Sequence, residues 1–292
     1  MAACEVSKPV LHLKLQLFDG HCYAVARKAL ECSSHAVVGL SIWNSFFSQK
    51  QICILLQCVA DNFSKVSLFS CDLPYEHNFR ALGYPEQQIQ PKLRKHIKGL
   101  RHRIDKAVMS LSAEARSKLL DDSGKLRFIE WCDIQESQEY QQSLPLMRSM
   151  FRESAEFSED VQAFARAFLK EKTPRDGNLI VEEAAEFVLK EWAFFSVLPD
   201  IIRQERSEIV SSDAPIVFVY HRRVPLFEDY FNGKYHGEES NHCMGFIVCG
   251  PEDSEVTPPA SKVALPLQNV WTKSNQQSMI SPEPSKPLSI QV

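Results

Sequence analysis

The chain has 292 residues, enough for one large α/β domain or two small ones, and 44% are hydrophobic, which supplies a sizeable core and excludes wholesale disorder. A formal net charge of −4 excludes a polycation, so any nucleic-acid surface has to be a local patch. No apolar run is long enough to span a bilayer, and Met1 to Val10 lacks the basic and apolar sections of a signal peptide, so a soluble, cytoplasmic protein is expected.

In chain order, the strict alternation from Val10 to Phe18 predicts a half-buried strand. Ala36 to Leu40 is a short apolar run, which suits a strand buried on both faces. A helix is expected over roughly Asn44 to Asp61, then a strand over Lys65 to Cys71 and a proline-containing loop. Ile89 to Leu119 reads as one long helix and part of a second, Leu126 to Cys132 as a strand, and Ser137 to Lys170 as two helices. Glu182 to Arg203 is a helix, and Ile216 to His221 and Met244 to Cys249 are buried strands. Strands separated by helices imply βαβ units and a mostly parallel sheet. Prolines among Ser, Thr, Gln and Lys mark residues 252 to 292 as a flexible Pro/Ser-rich tail, which leaves residues 1 to 251 as the folded domain. The nine cysteines include no CxxC pair, which points to reduced thiols and away from a structural zinc site.

Three places carry candidate chemistry. In Gly39-Leu40-Ser41-Ile42-Trp43-Asn44 a buried strand ends and a hydroxyl residue follows, at the edge where open α/β sheets bind ligands. Ser41 is there either a nucleophile or a helix cap. Trp43 stands where the GxSxG elbow of α/β-hydrolases has its second glycine, so that motif is absent. Ala184, Phe187, Glu191, Phe194 and Leu198 share one helix face, which puts the acid of Glu191 on an aromatic stripe. That acid is either functional or satisfied at the stripe's edge or by a structural arginine. Tyr220 and His221 end the strand Ile216 to Val219, as proton carriers or as ordinary strand-end residues.

The segment Pro91 to Lys106 carries Leu93, Ile97, Leu100 and Ile104 as one apolar stripe. Around it stand Lys92, Arg94, Lys95, Lys98, Arg101, Arg103 and Lys106, with Asp105 the single acid. Such a face repels itself unless a polyanion neutralises it, and phosphate backbone is the natural partner; the alternative is a solvated face paired with acids elsewhere.

Together these segments resemble the cyclodipeptide synthase family over roughly Leu11 to Pro251. His35 to Ser48 is similar to the family's strand, nucleophilic serine and following segment, and the basic helix matches in place and character. Phe187 to Glu191 matches a tyrosine-x-x-x-glutamate motif with phenylalanine in place of the tyrosine, and Asn44, Tyr220 and His221 match the branch named for those three residues. The resemblance implies a single Rossmann-like domain, similar to the catalytic domain of class I tyrosyl- and tryptophanyl-tRNA synthetases, monomeric and working without metal, ATP or other cofactor. It implies an aminoacyltransferase that moves an aminoacyl group from aminoacyl-tRNA to Ser41, then to a second tRNA-derived amino acid, and cyclises the pair to a diketopiperazine. Glu191 would hold the substrate ammonium, Tyr220 would relay a proton, and Asn44 and His221 would orient them. Val37, Gly39, Phe187, Phe194 and Phe218 would bind substrate, and the seven cations of the basic helix would bind tRNA. A non-catalytic tRNA-binding module on the same fold is the alternative, and a serine hydrolase is a weaker one.

Overall fold

A computed structural model describes residues 13–172, 180–205, 215–235 and 244–251. Six strands form one sheet: β1 (Leu13–Gln16), β2 (His35–Gly39), β3 (Lys65–Phe69), β4 (Phe128–Ile129), β5 (Ile216–Tyr220) and β6 (Met244–Pro251). Their spatial order is β1-β6-β5-β2-β3-β4. Every neighbouring pair is parallel except β1 with β6, whose register sets Leu13 against Pro251. The helices are α1 (His21–Glu31), α2 (Gln49–Asn62), α3 (Glu76–Ala81), α4 (Glu86–Met109), α5 (Ala113–Leu119), α6 (Trp131–Glu136), α7 (Gln138–Glu153), α8 (Ala155–Lys172), α9 (Val181–Glu205) and α10 (Pro225–Phe231). This is a mixed α/β domain with a mostly parallel sheet flanked by helices, as the alternation of patterns predicts.

The apolar runs of β2 and β5 are buried on both faces because the sheet is covered on both. Val37, Phe218 and Phe246 pack into one core cluster with residues of α7, α8 and α9; Ala36, Val38, Val217 and Val219 pack into another with α2 and α4. Gly245 lets β6 press against α1, since a Cβ there would lie 2.6 Å from the backbone nitrogen of Ala26.

Several boundaries differ from the sequence reading. The helix expected from Asn44 begins at Gln49, capped by Ser48, whose hydroxyl accepts from the Gln51 N–H at 3.3 Å. Ser41 is therefore not a helix cap. The proline-containing loop after β3 holds a 3-10 turn, Leu73–Tyr75, and α3. The strand expected over Leu126 to Cys132 shrinks to β4, because Trp131 and Cys132 already belong to α6. The helix carrying Glu191 is buried round most of its middle, with Ala185, Leu189, Trp192 and Phe195 as enclosed as the expected face. The expected tail, 252–292, lies outside the described residues, as do residues 1–12, which hold the start of the strand expected from Val10.

Candidate active site

The chain steps from β2 to β3 toward one edge of the sheet, while β5 and β6 lie toward the other, so the strand order reverses between β2 and β5. At such a switch point the loops leaving the carboxyl ends diverge and open a crevice. A cavity lies there, and its wall includes Gly39, Ser41, Asn44, Phe187, Glu191, Phe218 and Tyr220. Ser41 follows β2 and Tyr220 ends β5, so the two adjacent parallel strands bring together residues far apart in sequence. The Ser41 hydroxyl is 2.8 Å from the Tyr220 hydroxyl.

Gly39 makes room for this wall. A Cβ at that position would lie 2.4 Å from the Phe218 ring, so any side chain would push Phe218 out of place. Beyond it the chain turns sharply. Trp43 takes φ 55°, a left-handed conformation that a bulky residue adopts only when its surroundings hold it. Its ring is held by Phe79 at 5.3 Å and by His96 of α4 at 5.5 Å between centroids. Asn44 accepts the Phe46 N–H on Oδ1 at 3.0 Å, and Arg103 of α4 donates from Nε to the Phe47 carbonyl at 2.8 Å. The loop that presents Ser41 is thus fastened to the basic helix at two points.

Glu191 enters the wall from α9 with no hydrogen-bond or ion-pair partner among the described residues, so it is not the mate of a structural arginine. Burial pushes its carboxyl up to about 8. Burial also raises the Tyr220 phenol, while hydrogen bonding with Ser41 opposes the shift. His221 does not line the cavity. It sits behind Tyr220, stacked on Phe46 at 4.2 Å, and burial lowers its imidazole to about 3, which keeps it neutral. Val37 and Phe194 are also absent from the wall: both are fully buried behind it, and Phe194 stacks on Phe69 at 3.8 Å. Cys71 reaches the wall as well, but burial holds its thiol well above the ordinary range, which leaves it a poor nucleophile. Tyr75, Asn78, Lys172 and Arg222 also line the cavity, and no sequence pattern singles them out.

The basic helix is α4, and its cations divide into two groups. Arg101 pairs with Glu130 at 2.6 Å and lies 3.3 Å over the Phe128 ring, and Arg103 holds Phe47. Lys92 lies over the Tyr84 ring at 4.3 Å. Arg94, Lys95, Lys98 and Lys106 are exposed and have no ion pair among the described residues. Leu93, Leu100 and Ile104 are buried as predicted. Among the described residues no helix is long and apolar enough to cross a membrane, and no cluster of three or more His, Cys, Asp or Glu is placed to hold a metal ion.

Comparison with known proteins bears on the family and the fold. Cyclo(L-leucyl-L-phenylalanyl) synthase of Streptomyces noursei is 27% identical over 223 residues, covering 75% of this chain and 85% of that one. Cyclo(L-tyrosyl-L-tyrosyl) synthase of Mycobacterium tuberculosis is 24% identical, covering 75% and 71%. Among solved structures, a cyclodipeptide synthase of Bacillus thermoamylovorans superposes with a TM-score of 0.66 at 19% identity, covering 82% of this chain and 96% of that one. A Mycobacterium tuberculosis structure that relates cyclodipeptide synthetases to type I tRNA-synthetases superposes with a TM-score of 0.62 at 19% identity, covering 86% and 99%. The family model for cyclodipeptide synthase matches residues 14–248, which is most of the sequence and all six strands in whole or in part; the chain belongs to the cyclodipeptide synthase family.

Proposed function

We propose that the chain is a tRNA-dependent cyclodipeptide synthase working through a covalent aminoacyl-serine, in the branch that carries Asn44, Tyr220 and His221. The observation that carries this reading is the Ser41–Tyr220 hydroxyl pair at the switch point, with unpaired Glu191 in the same cavity. Ser41 attacks the ester carbonyl of the first aminoacyl-tRNA, and the ribose oxygen leaves with a proton. No ATP is needed, because the ester is already activated. The bound aminoacyl group keeps its amine beside Glu191. That amine then attacks the ester of a second aminoacyl-tRNA, which releases the second tRNA and leaves a dipeptidyl-serine. The new terminal amine closes on the serine ester, and the alkoxide of Ser41 recovers a proton through Tyr220. Covalent steps of this kind let one small site perform three successive acyl transfers.

The electrostatics suit these steps. A carboxyl titrating at about 8 matches an α-amino group, whose ordinary value is about 7.7 to 8.0, so a proton passes from ammonium to Glu191 with little change in free energy. Asn44 steadies the turn, neutral His221 packs against Tyr220, and the exposed cations of α4 bind the tRNA phosphates. Gly39, Phe187 and Phe218 take the substrate side of the wall, with Val37 and Phe194 supporting it from behind.

Incubation with radiolabelled aminoacyl-tRNA tests the reading. Wild type should retain acyl label after denaturation, and Ser41→Ala should retain none while melting within a few degrees of wild type. Label that persists on the variant would overturn Ser41 as the nucleophile, and a wild type that only binds tRNA would return the chain to the non-catalytic alternative.

A further inference from the structure

Asn78 is the least explained polar residue in the cavity wall. It comes from α3, is 1% exposed, and has no hydrogen-bond partner for either Oδ1 or Nδ2 among the described residues. A buried carboxamide left unpaired on both atoms destabilises the fold, and a leucine of similar size would fill the same space without that loss. The neighbouring elements give no reason for an amide. Tyr75, Phe168, Ala184 and Phe187 line the same cavity with rings or methyl groups, and Glu171, Lys172, Glu191 and Arg222 bring charge to other parts of its wall. Asn78 adds one donor and one acceptor that no described side chain uses.

Position relates this group to the chemistry. Tyr75 lies three residues before Asn78, one turn away on the same side of the segment, and its ring meets Phe187 edge-on at 5.5 Å. Phe187 lies one helical turn before Glu191. An aminoacyl group attached to Ser41, with its amine at Glu191, can run its side chain past Phe187 and Tyr75 toward Asn78. Resting on the proposed synthase activity, we infer that Asn78 reads one of the two substrates and selects an amino acid whose side chain carries an O–H or N–H group. Either group donates to Oδ1, and hydroxyl and carboxamide oxygens also accept from Nδ2. A hydrocarbon side chain would leave Asn78 unpaired, which is how a hydrogen-bonding site rejects the analogue lacking its partner.

The experiment is product analysis by mass spectrometry from wild type and Asn78→Leu, both as full-length chains, in a host that supplies all the aminoacyl-tRNAs, together with melting curves. Wild-type cyclic dipeptides should contain at least one residue with a side-chain O–H or N–H. Asn78→Leu should lower the ratio of those products to hydrocarbon-only ones by at least about tenfold. It should melt no lower than wild type, because two unpaired atoms leave the core. Wild-type products built only from hydrocarbon side chains would overturn the inference while leaving the synthase reading standing. An unchanged product ratio would also overturn it, as would a lower melting point with all products reduced in proportion, which is the signature of a structural asparagine. A wild type that makes no cyclic dipeptide removes the synthase reading and this inference with it.

Discussion

The cavity and the outer face of α4 announce function in opposite ways. In the cavity the signal is groups that burial should have removed or paired: Glu191 without an ion-pair partner and Asn78 without a hydrogen-bond partner among the described residues, and Trp43 in a left-handed turn. On α4 the signal is exposed charge that nothing nearby neutralises. The first costs stability and is held in place by surrounding packing; the second costs little and is screened by salt. Variants in the cavity should therefore change chemistry sharply, and variants on α4 should change binding gradually.

The sharpest way to break that contrast is Glu191→Gln. The amide keeps the shape and loses both the charge and the proton-accepting step, so kcat/KM should fall by about a hundredfold or more. For wild type, kcat/KM should be bell-shaped around pH 8, rising as Glu191 ionises to the carboxylate that holds the ammonium and falling as the substrate's ammonium loses its own proton; the variant should lose the rising limb. A pH profile with the same rise in the variant would assign the ionisation to another group.

Next in size is charge reversal on α4. Arg94, Lys95 and Lys98 changed together to Glu should weaken aminoacyl-tRNA binding by at least about tenfold. The same change should flatten the salt dependence of binding by about one unit of slope for each phosphate no longer neutralised. Arg101→Ala should behave differently. It breaks the contacts with Glu130 and Phe128, so it should lower stability by about 1 kcal/mol with little change in salt slope. Equal effects of Lys95→Ala and Arg101→Ala on the salt slope would erase the division between outward and inward cations.

Smaller effects concern His221 and Phe187. The folded value of His221 lies near 3 and its ordinary value is 6.5, so the unfolded chain binds the proton first. The stabilisation is fully present above pH 6.5 and is lost as the pH falls toward 3. His221→Phe should flatten that decline in thermal melts. Phe187→Tyr, which returns the hydroxyl of the family motif, should be nearly neutral in wild type and recover part of the rate in Glu191→Gln. Strict additivity of the two changes, within about 0.5 kcal/mol, would show that position 187 does not face the substrate amine.

Much of this site is legible in the sequence because its parts sit on strongly patterned elements. The apolar runs of β2 and β5 locate Ser41 and Tyr220 at strand ends, and the apolar stripe of α4 locates the cations. The parts that are not legible depend on short or irregular segments. Ser48 marks the true start of α2 by accepting the Gln51 N–H on its hydroxyl, yet Asn44 and Ser45 offer equally good caps by type alone. Pro74 heads the turn into α3, but six residues are too few for a periodicity, so nothing in the pattern marks Tyr75 and Asn78 as cavity residues. The resemblance implies that Val37 and Gly39 both bind substrate, whereas of the two only Gly39, at the strand end, lines the cavity. Which cations of α4 are occupied internally depends on Glu130 and Phe47, whose positions only the fold supplies.

The place of β6 in the sheet bears on how this chain is made. β6 lies between β1 and β5, although it is the last strand in sequence, and β1 pairs with nothing else among the described strands. While the ribosome is still short of Met244, β1 has no neighbour and one edge of β5 lies open. Pairings across such sequence distances form late and slowly, and exposed strand edges invite association with other chains. Nascent chains should therefore depend on shielding by chaperones until the final strand has emerged, and the domain should acquire its resistance to proteolysis in one late step rather than in stages.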